Sequence, residues 1–202
     1  MKIFLVRHGE TNENKYGIMQ GHLDSTLNEW GMLQAERIAE KLKEENICAI
    51  YCSDLQRAYH TAEIIRKKAF PQSPCYKLHD LRELSIGELE GKKWEKIKDI
   101  SREEFLKIIQ NNGGESIEHF KTRVWNSFID IIKKHNNGET VLIVTHGGSI
   151  KVILQNILKA ENLFDKLVVS NGSITRIIAK KLSNGELRFQ LEQLNDTSHL
   201  EI

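Results

Sequence analysis

The stretch Leu5-Val6-Arg7-His8-Gly9-Glu10-Thr11 runs from an apolar strand straight into a histidine and a glycine, and the pattern returns at Val144-Thr145-His146-Gly147-Gly148. Residues 2–6 and 140–145 are short, rich in β-branched residues and almost continuously apolar, as central strands covered on both faces must be. A third run, Ile47 to Cys52, ends at Ser53-Asp54-Leu55-Gln56, where Ser53 and Gln56 have the spacing of a helix capping box. Arg57 then falls in the first helical turn. In open α/β sheets ligands bind beyond the carboxyl ends of the strands, where helix N-termini present unpaired N–H groups to an anion. Arg7, His8, Arg57 and His146 are all expected at that edge.

Working outward, Leu27 to Glu45 carries Leu33, Ile38 and Leu42 at helical spacing with Asn28 as N-cap, and Ser149 to Leu158 carries Ile150, Ile153, Leu154 and Ile157. Ser116 opens a strongly periodic helix whose inner face is Ile117, Phe120, Val124, Phe128 and Ile131. Two further strands, 173–179 and 187–194, flank an Asn184-Gly185 hairpin signal. Residues 87–114 differ: Lys92, Lys93, Lys96 and Lys98 alternate with Trp94, Ile97 and Ile100, and the stretch closes at Gly113-Gly114. This reads as a small helical cap over the site. No repeat, linker or low-complexity tract divides the chain, so residues 1–202 read as one domain with the cap inserted at about 87–114.

The 202 residues are 40% hydrophobic and 28% charged, enough for one sizeable core. A formal net charge of +1 gives no general attraction to nucleic acid or anionic lipid, so anion recognition has to be local. No apolar run approaches the roughly 20 residues of a membrane span, and the first strand begins at Lys2; a cytoplasmic protein is expected. Cys48, Cys52 and Cys75 are odd in number, and the first two lie in an apolar strand, which favours buried free thiols over a disulfide framework.

Phosphoryl transfer suits this residue set. It spreads negative charge over equatorial oxygens and needs fixed cations, an in-line nucleophile and an acid for the leaving oxygen. A neutral imidazole can attack phosphorus and form a covalent intermediate that water later hydrolyses. Arg7 and Arg57 offer planar forks for bidentate contact with phosphate. A second, protonated histidine would add charge to the clamp. Glu83, in Asp80-Leu81-Arg82-Glu83-Leu84, is the candidate acid, since like charge from a bound phosphate favours a protonated carboxyl. No metal and no cofactor is called for.

Arg7-His8-Gly9-Glu10-Thr11 with Asn14, Gln20-Gly21, Ser53-Asp54-Leu55-Gln56-Arg57-Ala58 with Thr61-Ala62, Leu81-Arg82-Glu83, and Thr145-His146-Gly147 together resemble the histidine phosphatase superfamily in order and context. The resemblance covers nearly the whole chain. It implies a three-layer α/β/α sandwich with a mostly parallel central sheet and an inserted cap. It also implies His8 as the phosphorylated nucleophile, Glu83 as the proton donor, and Arg7, Arg57 and His146 as the phosphate pocket. Asn14, Gln20, Gly21 and Gly147 line that pocket by the same resemblance. Within the family, the cap here lacks the paired arginines of the phosphoglycerate mutases, and Gly148 stands where those mutases carry asparagine. Gly87-Glu88-Leu89-Glu90-Gly91 and the ending from Leu194 to Leu200 look like the phosphatase branch, with broad-specificity and α-ribazole phosphatases as its types. The expectation is therefore a metal-independent hydrolase of a small phosphorylated metabolite, α-ribazole phosphate among the candidates. A cofactor-primed mutase and a catalytically silent phosphate-binding domain are the alternatives, with a metallohydrolase using His8, His146 and Asp54 as an outlier.

Other polar residues have blander readings. His22, His60, His79, His119 and His135 lack ordered partners and read as surface or packing residues. His199 reads equally as a tail closing over the pocket or as an exposed terminus. The cap lysines read as a solvated helix face, with Lys92 or Lys93 available to a substrate carboxylate, and Trp30, Trp94 and Trp125 read as packing residues.

Overall fold

A computed structural model describes residues 1–93, 100–160 and 163–201. Its frame is a six-stranded sheet. In chain order, β1 (Lys2–Arg7) leads through a single helical turn, α1 (Asn12–Lys15), to α2 (Glu29–Leu42). Next come β2 (Ile47–Ser53), α3 (Gln56–Ala69), β3 (Cys75–Leu78), α4 (Arg102–Asn111) and α5 (Ile117–Lys134). β4 (Thr140–Thr145), α6 (Gly147–Leu158), β5 (Ile174–Lys181) and β6 (Leu187–Asp196) complete it. The strand order is β3-β2-β4-β1-β5-β6. β3, β2, β4 and β1 run parallel, and β5 and β6 add an antiparallel edge.

The central strands are apolar on both faces because helices cover both. Along β1, Ile3 and Leu5 join Val141, Ile143, Phe120, Val124, Phe128 and Ile153 under α5 and α6. Phe4 and Val6 point the other way and join Leu142, Val144, Ile38, Leu42, Ala62 and Ile65 under α2 and α3. This is the period-2 alternation of a strand applied to two cores at once. Each fully buried Ile, Leu or Phe contributes roughly 1.5–3 kcal/mol, so the two layers hold the sheet from both sides. The result is the expected three-layer sandwich.

Several local expectations hold in detail. Asn28 caps α2 by accepting the Gly31 N–H at 2.8 Å, and Ser116 caps α5 by accepting that of His119 at 3.2 Å. The β5–β6 connection spans residues 182–186, with Gly185 at φ +84° where a side chain would be strained. Others fail. Leu33 is 39% exposed, and Gln34 turns inward instead because its side-chain oxygen accepts the Glu10 N–H at 2.8 Å. Cys52 is buried but Cys48 is exposed, since β2 changes register against β4 between Ile47 and Ala49.

In the segment 87–114, a 3-10 turn at Gly87–Leu89 and the helix α4 pack through Ile86, Leu89 and Ile109 onto Met19. Lys92 and Lys93 are exposed, while Trp94, Lys96, Ile97 and Lys98 lie outside the described residues. Among the described residues no helix is long and apolar enough to cross a membrane.

Candidate active site

Register brings the two histidines together. Arg7 of β1 lies opposite Thr145 of β4 as the last pair of a parallel ladder, so His8 and His146 leave the sheet side by side. The His8 N–H donates to the Thr145 carbonyl at 2.9 Å, and the two imidazole centroids are 5.1 Å apart at 61°. Both are almost fully buried, at 3% and 0% exposure. Gly9 then lets the chain pass against α2: a Cβ there would come within 2.9 Å of the Gly31 backbone.

The His8 Nδ1 lies 2.7 Å from the Gly9 carbonyl, which can only accept; Nδ1 therefore carries the proton and Nε2 keeps its lone pair. Burial, and after it the positive charges of Arg57 and Arg7, push the imidazole well below its ordinary pKa of 6.5. His8 is thus neutral at pH 7. The same causes, burial first and then Arg57, hold His146 well below its ordinary value. A protonated second histidine was expected, and the site opposes it, first because His146 is fully buried and then because Arg57 and Arg7 lie close by.

Ser53 does not cap α3. Leu55 occupies the N-cap with no side-chain hydrogen bond. Ser53 Oγ instead lies 2.8 Å from His146 Nε2, and it accepts the Leu55 N–H at 3.4 Å. While its oxygen accepts from Leu55, the hydroxyl can give its proton to Nε2, and in that tautomer His146 Nδ1 carries the ring proton. That atom is buried and has no partner among the described residues. Arg7 Nε and Arg57 Nε are in the same condition. Buried polar groups without partners are costly, roughly 1–3 kcal/mol each, so two guanidinium donors and an imidazole nitrogen left unpaired around one histidine pair mark where an anion fits.

The arginines are held by their other nitrogens. Arg57, 1% exposed, donates to the carbonyls of Leu23 at 2.7 Å and Gly21 at 2.8 Å. Burial lowers its pKa to about 10, which leaves it charged at neutral pH. Arg7 donates to the Val169 carbonyl at 2.7 Å. Glu83 lies across from them, its carboxylate oxygens accepting the N–H groups of Leu84 at 2.9 Å and Gly148 at 2.8 Å. Arg7, Glu83, Gln20, Gly21 and Gly147 line one cavity of about 550 Å³, whose remaining wall is largely apolar and includes Leu84, Ile86 and Phe105. Gly21 has φ +49°, and its carbonyl is one of the two that Arg57 grips.

Asn14 sits at one remove from the histidine pair. Its Oδ1 closes a capping box with Thr11 and accepts from Asn171 Nδ2 at 3.1 Å, so it braces the loop after β1. Asn171 also donates to the His8 carbonyl at 3.1 Å. No sequence signal marked Asn171. Arg123 was equally unmarked: it donates to the carbonyls of Arg82 at 2.8 Å and Glu83 at 2.7 Å while pairing with Glu115. A charged residue beside Phe120 and Val124 on the inner face of α5 was the available clue. His22 Nε2 meets the Glu83 carbonyl at 2.8 Å, more than a packing role. His60, His79 and His119 are exposed as expected. His199 is half-buried on the Gly172 carbonyl at 3.0 Å, tying the end of the chain to the loop that carries Asn171.

A family model, histidine phosphatase superfamily (branch 1), matches residues 3–197. The chain belongs to that superfamily. This histidine phosphatase is 36% identical to a metal-independent phosphoserine phosphatase of Arabidopsis thaliana, over 98% of this chain and 83% of the relative. The solved structure of Bacillus stearothermophilus YhfR superimposes on it with a TM-score of 0.87 at 31% identity, covering 99% of each chain. Phosphoserine phosphatase from Entamoeba histolytica, in complex with 3-phosphoglyceric acid, gives a TM-score of 0.81 at 29% identity, again over 99% of each chain. The chain is accordingly a phosphatase of the histidine phosphatase type.

Proposed function

We propose that this phosphatase is a metal-independent phosphomonoesterase working through a phosphohistidine at His8. The observation that carries this is the neutral His8, with Nδ1–H on the Gly9 carbonyl and a free Nε2, beside the unpartnered buried Nε of Arg7, Nε of Arg57 and Nδ1 of His146. The phosphate is gripped by Arg7, Arg57 and His146 Nδ1–H. Nε2 of His8 attacks phosphorus as the P–O bond to the leaving group breaks, and Glu83 gives that oxygen its proton. Water then attacks the phosphohistidine with Glu83 as base, releasing inorganic phosphate and restoring His8.

The cavity supports a small leaving group. Its wall is largely apolar, with Arg7, Glu83 and Lys151 as the charged side chains among the described residues that line it. Phosphoserine and 3-phosphoglycerate, named with similar proteins, come first in the proposed order, and α-ribazole phosphate follows. The mutase reading requires that water be kept from the phosphohistidine, which a cavity lined by Glu83 and open to solvent does not favour. The test is phosphate release from these esters with EDTA throughout, together with rapid-quench trapping of the phosphoenzyme. His8→Ala should lose turnover and labelling together. Labelled, active His8→Ala protein would sink the assignment, and isomer formation without phosphate release would move it to a mutase.

A further inference from the structure

We propose that Cys48, His135 and Glu139 form a binding site for a borderline-soft divalent cation of the Zn²⁺ type. The site lies at the amino ends of the parallel strands, the opposite edge of the sheet from the histidine pair. Cys48 is the second residue of β2, His135 is the C-cap of α5, and Glu139 immediately precedes β4.

One potential ligand atom from each residue lies within 4.8 Å of the other two. The Cys48 Sγ is 3.7 Å from His135 Nδ1, which is 3.0 Å from Glu139 Oε2. In a tetrahedral zinc site with metal–ligand bonds of roughly 2.0–2.3 Å, neighbouring ligand atoms stand roughly 3.3–3.6 Å apart. The observed separations bracket that value. Thiolate, imidazole and carboxylate together are a donor set that suits zinc rather than magnesium or calcium.

The supporting contacts are those that ligands need. His135 Nε2 is 2.9 Å from the Tyr51 hydroxyl, so an Nε2–H donated there turns the Nδ1 lone pair toward Cys48 and Glu139. Glu139 Oε2 also accepts the Asn136 N–H at 2.7 Å, which fixes the carboxylate. The thiol and the carboxylate both converge on Nδ1, so a cation placed among the three would be held by all of them at once. A second cavity, of about 570 Å³, opens over the trio and leaves room for water as a fourth ligand.

The test is titration of the full-length, reduced protein with Co²⁺, read by thiolate-to-metal charge-transfer absorption, and with Zn²⁺, read by calorimetry. One equivalent should bind with the charge-transfer band. Cys48→Ala should abolish the band and weaken Zn²⁺ at least about tenfold, and Tyr51→Phe should weaken it by roughly tenfold through loss of ring orientation. Cys48→Ala should hydrolyse nitrophenyl phosphate at the wild-type rate, which shows that it is folded. Absence of the band at one equivalent overturns the proposal, as does an unchanged band in Cys48→Ala, which would assign the thiolate to another cysteine. Zn²⁺ binding that vanadate displaces and Cys48→Ala retains would put the ion at His8 and His146 and overturn it equally.

Discussion

Gly148→Ala separates the position of Glu83 from its chemistry. A Cβ at residue 148 would overlap Glu83 Oε1 and stand 3.0 Å from Cδ and 3.2 Å from Oε2. The end of a flexible side chain can yield, so the carboxyl swings away by about 1 Å, a displacement that costs on the order of 10²-fold when it falls on a proton-transfer geometry. That corresponds to about 2.7 kcal/mol in the barrier. The backbone has no objection, because Gly148 lies in the first turn of α6 outside the positive-φ region. Alanine there should leave stability unchanged or raise it by up to about 1 kcal/mol. The assay is kcat for an alkyl phosphate against kcat for nitrophenyl phosphate, with thermal unfolding alongside. The alkyl ester should lose roughly 10²-fold and the nitrophenyl ester less than about tenfold, since its leaving oxygen hardly needs a proton. Equal losses on both esters, or no loss on either, would refute the assignment of Gly148 as the residue that seats Glu83.

Glu83→Gln should show the same selectivity more strongly, with roughly 10²–10⁴-fold lost on alkyl phosphates, and parity between the two esters would remove Glu83 as the acid. Because His8 is held well below 6.5, kcat/KM should stay level as pH falls through 6.5 and decline only further into acid. Folding carries the opposite sign: the unfolded chain takes up protons near 6.5 that the native His8 and His146 refuse, so stability should drop from about pH 7.5 to 5.5. Urea unfolding of His8→Ala should show a shallower drop, and an identical slope would contradict the buried neutral imidazole. Ser53→Ala leaves His146 Nε2 unpaired, costing about 1–3 kcal/mol of stability. Its ring is then free to turn, so vanadate inhibition should weaken by roughly tenfold; unchanged inhibition would show that Ser53 plays no part in aiming His146.

Much of the site was legible because its signals are local. An apolar run ending in His-Gly announces a central strand and what lies at its tip, and the inner face of α5 is written in the spacing of Phe120, Val124, Phe128 and Ile131. What failed was the choice of partner. Ser53 and Gln56 have capping-box spacing, yet a buried imidazole 93 residues away claims the hydroxyl. Leu33 has core spacing, yet Gln34 goes inside because an N–H of the loop after β1 needs an acceptor. Cys48 reads as buried by composition, and a register shift puts it outside.

The sequence by itself determined the two strand-to-glycine turns, the residue types suited to gripping a phosphate and the alternation of strands with helices, since each depends on neighbours within a few positions. Only the tertiary structure decided that β1 and β4 lie side by side in register, that Gly148 must be small to admit Glu83, and that Arg123, His22 and Asn171 brace the site from three separate segments. The physical reason is that periodicity along a chain encodes which face is apolar, whereas hydrogen-bond partners and close approaches arise between segments whose separation in sequence carries no trace of their distance in space.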